Sequence, residues 1–316
     1  MKKLFFSIIA ALCLFTTVNA QDEMIFNHYI INPVIVNPAA AGMNGAQNFS
    51  VHYKNQWTGF TGAPTTVGLN YHGSVGSQMG IGAWVSGENI SSSNRLRAAL
   101  AYSFRFKIND FKAALGLSTE FKRMSLNNSL LENPLVKSGD DILLSNVQGV
   151  NIFDATVGFY GVYQDKLTIG ASMPNLIEAR LSDTGSGNGT AGGFKYYTFM
   201  LGYKQPAGAI TVEPSLMLKK LPGAPFQVDL NLKGSFLEER VFGAVSYRVG
   251  GGGGLGVMVG TKYNGLTFAY SYDYALNRFQ QYSGGAHELT VGYSIFPKTK
   301  TNEELIIDRN SGNYSN

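Results

Sequence analysis

The side chains best able to do chemistry in this sequence are four histidines, His28, His52, His72 and His287. An imidazole beside a serine or an aspartate can serve as the base of a hydrolytic dyad or triad. No short catalytic motif surrounds these residues, and no two have the His-x-x-x-His spacing with which a helix holds a metal ion. We therefore expect no enzyme, and hence no catalytic residue, no metal ligand and no cofactor.

Three further features have an ordinary structural explanation. Gly250 to Gly254 lacks the Lys-Ser/Thr that completes a phosphate-binding loop, so we interpret it as an outer hairpin tip. Asp140 and Asp141 could help to bind calcium, but adjacent acidic residues are also common in a solvated loop. Cys13, the only cysteine, lies in an apolar run near the N-terminus.

That apolar run belongs to a predicted secretory signal peptide, residues 1–20. Lys2 and Lys3 precede it, and Val18-Asn19-Ala20 forms a small-residue cleavage site. An uncleaved anchor is the alternative, but about 12 apolar residues fall short of the ~20 that span a bilayer. Cleavage would remove Cys13, so we expect neither disulfides nor thiol chemistry in the exported chain.

The composition argues against two broad classes of protein. Of 316 residues, 15% are charged, against roughly 25% in ordinary soluble domains, and the formal net charge is only +4. So small a net charge does not favour nucleic-acid binding, and 44% hydrophobic residues do not favour disorder. After residue 20 no apolar run is long enough for a transmembrane helix, so membrane insertion would have to use strands.

From about Asn48 onward, apolar residues alternate with polar residues or glycine, which is the pattern of β-strands. The alternation predicts about 14 strands, an even number, with lengths near the ~9–11 residues of a tilted membrane-spanning strand. The predicted strands cover about 47–55, 64–74, 78–87, 94–107, 111–123, 151–163, 166–173, 194–205, 208–219, 226–234, 238–249, 253–263, 265–274 and 285–296.

The connections between these strands alternate in length. If the exported chain starts in the periplasm, its tight turns face the periplasm and its two longest loops, about 124–150 and 174–193, face outward. One tight turn is Asn264-Gly265, a type I′ hairpin signal. This layout is typical of an outer-membrane barrel, which closes because lipid cannot satisfy a free strand edge. A soluble sandwich would carry more charge, and a propeller would repeat every 40–50 residues or so.

We therefore predict an all-β chain. A transmembrane antiparallel β-barrel occupies residues 47–296, after an N-terminal segment at 21–46 and before a polar periplasmic tail at 297–316. The N-terminal segment is longer than a lead-in to a strand requires, and its two Asn-Pro dipeptides impose extended or turn conformations. It could plug the lumen, dock in the periplasm, or simply pack its Ile and Phe side chains under the barrel mouth.

The polar phase of the predicted strands faces the lumen and carries charges of both signs. Such charges favour a water-filled or polypeptide-filled interior over a hydrophobic channel for lipid. They could also simply form internal salt bridges. They are Arg95, Arg97, Arg105, Lys112, Glu120, Lys122, Lys204, Glu213, Lys219, Asp229, Lys233 and Arg248.

Several short motifs occur together in this chain. They are Phe26-Asn27-His28-Tyr29, Asn32-Pro33, Asn37-Pro38-Ala39-Ala40-Ala41-Gly42, Tyr53-Lys54-Asn55-Gln56-Trp57 and Gly62-Ala63-Pro64, with a looser block from Phe159 to Leu176. In these motifs the sequence resembles the PorP/SprF family of type IX secretion system outer-membrane proteins. It departs from the family at Asn175, where a histidine is usual.

The resemblance implies a role in type IX secretion, with its link to gliding motility. Such barrels accompany a particular large secreted adhesin or effector, bind its C-terminal domain, and support its export or its anchoring on the cell surface. Some associate with periplasmic ring or translocon components. The alternative is a passive outer-membrane channel or hydrophobic-solute transporter. The motif residues carried over as structural or docking candidates are Asn32, Pro33, Asn37, Pro38, Gly42, Asn55, Gln56 and Trp57.

Overall fold

The structure is a computed structural model that describes residues 26–131, 141–177, 179–180, 195–221, 224–250, 253–276 and 282–296. The predicted signal peptide at 1–20 and the predicted tail at 297–316 lie outside these residues. None of the helices within the described ranges is long and apolar enough to span a bilayer.

Strands account for most of the described chain. They are β1 (Gln47–Asn55), β2 (Thr65–Val75), β3 (Met79–Ile90), β4 (Ser93–Ile108), β5 (Phe111–Leu126), β6 (Val150–Tyr163), β7 (Leu167–Met173), β8 (Ala179–Arg180), β9 (Tyr197–Tyr203), β10 (Gln205–Ala207), β11 (Ile210–Lys220), β12 (Gln227–Phe236), β13 (Val241–Val249), β14 (Gly254–Tyr263), β15 (Leu266–Ala275) and β16 (Ala286–Ile295).

These strands form one antiparallel sheet in which 14 of them make a closed ring. Consecutive strands pair around the ring, β16 pairs with β1, and the pairing of β11 with β9 completes the circle. The two-residue β8 pairs only with β6, and β10 continues β9 in the same register against β11. The predicted 14-stranded antiparallel barrel is thus confirmed, with strand limits that shift by about three residues at most.

One local prediction was wrong, and one helix was not predicted. The strand predicted at 194–205 is divided at Lys204, where the ladder between β9 and β11 also skips Pro214. Proline has no N–H to donate, so the ladder cannot continue through it. The longest loop also contains a helix, α1 (Asp141–Gln148), so Asp141 begins a helix, whereas Asp140 lies outside the described residues.

The strand pattern separates an apolar outer face from a polar inner face. Leu69, Leu100 and Val259 point outward and are more than half exposed, whereas His52 and Asp229 point inward and are buried. This alternation is the two-residue period of a strand with lipid on one side and protein on the other.

The two ends of the barrel differ in the length of their connections. We call the end with the short connections 76–78, 109–110, 164–166, 208–209, 237–240 and 264–265 the turn end, and the opposite end the loop end. Asn264 and Gly265 both have positive φ, +47° and +82°, which confirms the type I′ turn.

A charge on the outer face should destabilise the barrel according to its depth. We expect Val259→Arg, in the middle of β14, to cost about 2–4 kcal/mol, because arginine there meets hydrocarbon. The matched control Tyr263→Arg, at the turn end of the same strand, should cost about 0–1 kcal/mol. Urea unfolding in phospholipid vesicles, followed by heat-modifiable gel mobility, measures both; equal losses would contradict a lipid-facing outer surface.

Candidate functional site

Residues 26–46, which we call the luminal segment, lie inside the ring and run from its loop end to its turn end. The backbone N–H of Asn27 donates to Glu288 near the loop end of β16 (2.8 Å). At the turn end the carbonyl of Gly42 accepts a hydrogen bond from Arg105 (2.5 Å), whose guanidinium also binds the carbonyl of Gly76. Between these points the segment forms three 3-10 helices, Asn27–Ile30, Pro33–Ile35 and Pro38–Ala40.

The two Asn-Pro dipeptides set the path of the luminal segment. Pro33 and Pro38 each occupy the first position of a 3-10 helix, where a missing N–H costs nothing. The side chain of Asn37 caps the third of these helices by accepting from Ala39 N (3.0 Å). The same side chain donates to the carbonyls of Phe159 (2.8 Å) and Ala171 (3.2 Å), so it also ties the segment to β6 and β7.

Glycines on the inner face let the luminal segment approach the barrel wall. A Cβ atom at Gly116 would collide with the backbone of Ala39, and one at Gly158 would collide with the side chain of Asn37. A Cβ atom at Gly80 would likewise overlap the carbonyl of Ala41. The segment therefore packs against wall positions that only glycine leaves open.

Glu288 binds the first turn of the luminal segment to the wall. Its fully buried carboxylate accepts from the backbone N–H groups of Asn27 (2.8 Å) and His28 (3.0 Å). The ammonium of Lys54 on neighbouring β1 lies 3.4 Å away and is also buried. A buried charge is tolerated only when it is paired and hydrogen-bonded, so Glu288 depends on both the wall and the segment.

A chain of side-chain hydrogen bonds extends from this point across two strands. Thr290 Oγ1 lies 2.5 Å from Nδ1 of His28 and 2.7 Å from Nδ1 of His52. The other ring nitrogens meet Ser271 (3.0 Å from His28) and Ser50 (2.9 Å from His52). Burial lowers the pKa of His28, although Glu288 acts in the opposite direction.

His28, His52 and Glu288 also place three potential metal-ligand atoms within 4.8 Å of one another. This triad was not expected from the sequence, because its members lie far apart along the chain. Thr290 bridges the two imidazoles and Lys54 faces the carboxylate, so the donors and acceptors of the triad have protein partners. We therefore interpret it as a group of hydrogen bonds and ion pairs that attaches the luminal segment to the wall.

A second buried carboxylate, Asp229, holds the other side of the same turn. It receives hydrogen bonds from the hydroxyl of Tyr29 (3.1 Å), from Lys219 (3.0 Å) and from Arg248 (3.3 Å). Burial and the neighbouring carboxylate raise the pKa of Tyr29, which keeps its hydroxyl protonated as a donor. Arg248 also donates to the side chain of Asn27 (2.8 Å).

Apolar patches on the inner wall are covered by the same segment. Ile30 and Ile31 pack on one cluster, and Val34, Ala39, Ala40 and Met43 belong to another. The wall residues are Phe242, Ala244, Met258 and Ala269 in the first cluster and Ala114, Tyr160 and Val162 in the second. Apolar side chains facing a lumen lose contact with water when the segment covers them, which stabilises this arrangement.

A cavity of about 240 Å³ lies between the luminal segment and the loop-end halves of β2 to β6. Phe26 and residues 34–38 line it from the segment, and Trp84 lines it from the wall. Ion pairs line its charged side: Arg97 with Glu120, and Lys122 with Asp154 (3.1 Å).

The chain that follows β7 completes this cavity. Its backbone folds onto β6, where Leu176 N donates to Ala155 O (3.1 Å) and Ile177 N donates to Asp154 (3.3 Å). Asn175 is buried beside the cavity, and its side-chain oxygen has no hydrogen-bond partner among the described residues.

The structure places the predicted docking residues in two separate groups. Asn32, Pro33, Asn37, Pro38 and Gly42 belong to the luminal segment, where the side chain of Asn32 donates to Asn70 (3.1 Å). Asn55, Gln56 and Trp57 lie at the loop end, at the end of β1 and in the connection after it. Gln56 N donates to Pro64 O (2.9 Å), and Trp57 has a φ of +54° and is 42% exposed.

The alternation of residues along the strands predicted which wall side chains face the lumen. It did not predict which residues of the luminal segment they contact. Lys219, Asp229 and Arg248 were predicted to face the lumen and are paired there. Lys54 and Glu288 share the inward phase, a signal that the sequence contains, but the contact of Glu288 with Asn27 and His28 has no sequence signal. His287 lies on the outward phase, away from the lumen, and its ring is hydrogen-bonded to the hydroxyl of Tyr270 (2.7 Å).

Comparison with known proteins gives one match that covers most of the chain. A family model described as type IX secretion system membrane protein PorP/SprF matches residues 18–293. No curated protein is significantly similar to the sequence.

Solved structures that resemble the chain are membrane porins and transporters. A KdgM porin is 13% identical, with 78% of this chain and 99% of that chain covered and a TM-score of 0.39. The toluene transporter TodX of Pseudomonas putida is 11% identical, with coverage of 87% and 95% and a TM-score of 0.47. The deltaS2S3 mutant of TodX, a monoaromatic hydrocarbon channel, is 11% identical, with coverage of 85% and 94% and a TM-score of 0.49. Such values are too low to bear on function.

Glycine-to-alanine substitutions on the inner face should loosen the luminal segment. Gly116→Ala and Gly158→Ala insert a methyl group where the segment lies, and we expect each to cost about 1–3 kcal/mol through overpacking. Gly87→Ala is the control, because a Cβ atom there meets nothing within 4 Å. Urea unfolding and limited proteolysis of the segment report the effect. Equal stability of all three variants would contradict close packing of the segment on the wall.

Removing the buried charge of Glu288 should be far more costly than removing an exposed one. Glu288→Gln removes the buried charge that faces Lys54 and accepts from the segment, and we expect a loss of about 3–5 kcal/mol. In the control, Asp165→Asn breaks the exposed Lys112–Asp165 pair (2.7 Å) at the turn end, for about 0–1 kcal/mol. Urea unfolding of both variants in the same lipid measures the change in the free energy of unfolding. Similar losses of stability in the two variants would contradict the role of Glu288 in attaching the segment to the wall.

Proposed function

Because the chain belongs to the PorP/SprF family of type IX secretion system membrane proteins, we propose that it binds the C-terminal domain of one large secreted adhesin or effector. It supports the export of that partner or its anchoring on the cell surface. The protein is a multi-pass β-barrel of the Gram-negative outer membrane. Short turns of such barrels face the periplasm, so the turn end is periplasmic and the loop end extracellular.

The observation that carries this proposal is the filling of the lumen by residues 26–46. Two buried carboxylates, two apolar clusters and a set of inward glycines all depend on this segment remaining in place. A barrel held in this way is better suited to binding a partner than to conducting solutes.

Cavity size indicates where a partner domain would bind. The cavity of about 240 Å³ is far too small for a folded domain. A secreted domain would therefore bind on the loops of the extracellular end, and ring or translocon components would approach the periplasmic turns.

Deletion of the gene tests the proposal in the cell. We expect one large secreted protein to be lost from the cell surface, as measured by mass spectrometry of surface-shaved peptides, while uptake of small solutes is unchanged. Expression of the intact chain should restore the lost protein. Normal surface display of all large secreted proteins in the deletion strain would refute the secretion function.

Conductance of the purified protein separates this function from that of a passive channel. In a planar bilayer the intact protein should be silent, and deletion of residues 27–40 should produce ion conductance if the variant still forms a heat-modifiable barrel. Steady conductance of the intact protein would favour the channel.

A further inference from the structure

The cavity of about 240 Å³ at the extracellular end contains a buried hydrogen-bond acceptor that needs a donor. Asn175 lines this cavity and is only 4% exposed, and its side-chain oxygen has no hydrogen-bond partner among the described residues. A buried acceptor without a partner is costly, and an N–H or O–H group that reaches it removes the cost. The cavity is therefore suited to a ligand that carries such a donor.

The backbone around Asn175 holds its side chain at the cavity. Asn175 has a φ of +57°, a left-handed conformation that asparagine tolerates better than most residues. The two residues that follow it are bonded to β6, through Leu176 N to Ala155 O (3.1 Å) and Ile177 N to Asp154 Oδ1 (3.3 Å). Backbone held in such a conformation by its surroundings is typical of binding sites.

Aromatic side chains line the cavity at a distance from Asn175. A row of paired residues crosses β3 to β6 from Trp84 to Asp154. Asn175 lies beside the Asp154 end of this row, and Trp84 forms the other end. Phe26 packs edge-on against Trp84, with ring centroids 5.4 Å apart. Aromatic rings favour such packing, so this end of the row suits a further ring.

The wall between the two ends is charged but balanced by ion pairs. The pairs are Arg95 with Glu88 (3.5 Å), Arg97 with Glu120, and Lys122 with Asp154 (3.1 Å). Since these charges already have partners, a neutral ligand fits better than a charged one. The guanidinium of Arg97 can also attract the face of an aromatic ring. Its side chain is 30% exposed, so water reaches this side of the cavity.

The volume of the cavity agrees with a ligand of one ring and a polar substituent. An apolar cavity of about 150 Å³ is large enough to bind benzene. The present cavity is larger, and Val34, Met124 and Leu221 add apolar surface to its lining.

We propose that this cavity binds a neutral aromatic ring that carries one N–H or O–H donor, as in a phenol or an indole. The ring packs on Phe26 and Trp84, and its donor bonds to Asn175. It belongs either to a free small molecule or to a tyrosine or tryptophan side chain of a partner. The recognition is the same in both cases, and it does not depend on the secretion function.

The fluorescence of Trp84 provides a direct test. The chain has two tryptophans, Trp57 and Trp84, so Trp57→Phe leaves only the one that lines the cavity. The purified protein is titrated with phenol, and tryptophan is excited at a wavelength that phenol does not absorb. Toluene, which lacks the donor, and cyclohexanol, which lacks the aromatic ring, are the matched probes.

We expect phenol to change the emission of Trp84 saturably and to bind more tightly than cyclohexanol. Asn175→Leu should weaken the binding of phenol about tenfold relative to that of toluene, because one hydrogen bond is lost. Comparison between variants cancels the partitioning of the probes into detergent.

A second variant tests the site without altering Asn175. Ala99→Leu fills part of the cavity and should weaken phenol and toluene alike. Ala98→Leu, on the outward phase of the same strand, is the control and should bind both as before. Each variant is first shown to be folded by heat-modifiable mobility.

Three results would overturn the proposal. The first is the absence of saturable phenol binding, or phenol binding that Ala99→Leu leaves unchanged. The second is an equal preference for phenol over toluene with and without Asn175, which would show that water alone meets its oxygen. The third is equal binding of cyclohexanol and phenol, which would exclude recognition of an aromatic ring.

Surface display of the secreted partner identifies the source of the ring. Reduced display with Ala99→Leu but not with Ala98→Leu would assign the ring to a side chain of the partner. Unchanged display with both variants would assign it to a free small molecule. Failure of the secretion function would leave the phenol titrations unchanged.

Discussion

A lipid bilayer offers no hydrogen bonds to the backbone, and this constraint determines the rest of the structure. Each strand of the ring must pair on both sides, so β16 returns to β1 and β9 meets β11. Closure of only 14 strands gives a narrow interior. Side chains on the inner phase therefore face one another or the luminal segment, and their charges and apolar groups must be satisfied there.

The luminal segment contacts the charged and apolar groups of the inner wall in two different ways. Near the extracellular end it is held by directional bonds, since Glu288 and Asp229 accept from its backbone and from Tyr29. Further down, close packing adds to the hydrogen bonds of Asn37 and Gly42, since the backbone of the segment lies against inward glycines. Directional bonds fix which residues lie at the extracellular end, and close packing fixes the depth of the segment, so together they specify one position.

The fold could be predicted from the sequence because the residue pattern within each strand reflects the lipid on one side and the lumen on the other. Val257 and Val259 alternate with glycine and methionine along β14, and this two-residue period needs no knowledge of distant residues. The break at Lys204 was missed because its cause, Pro214, lies on the neighbouring strand. Helix α1 was missed because eight residues within a long loop give little periodic signal.

The candidate site was harder to predict because its contacts join residues that are distant along the chain. His28 and Ser271 both have ordinary sequence surroundings, and nothing local indicates that they meet. One signal was nonetheless present. Gly80, Gly116 and Gly158 all lie on the inward phase of strands, where a side chain would ordinarily fill the lumen. Glycine weakens a strand unless another backbone approaches it closely. Repeated inward glycines in a narrow barrel therefore indicate that polypeptide lies inside, and the only stretch outside the predicted strands with two Asn-Pro turns is the luminal segment itself.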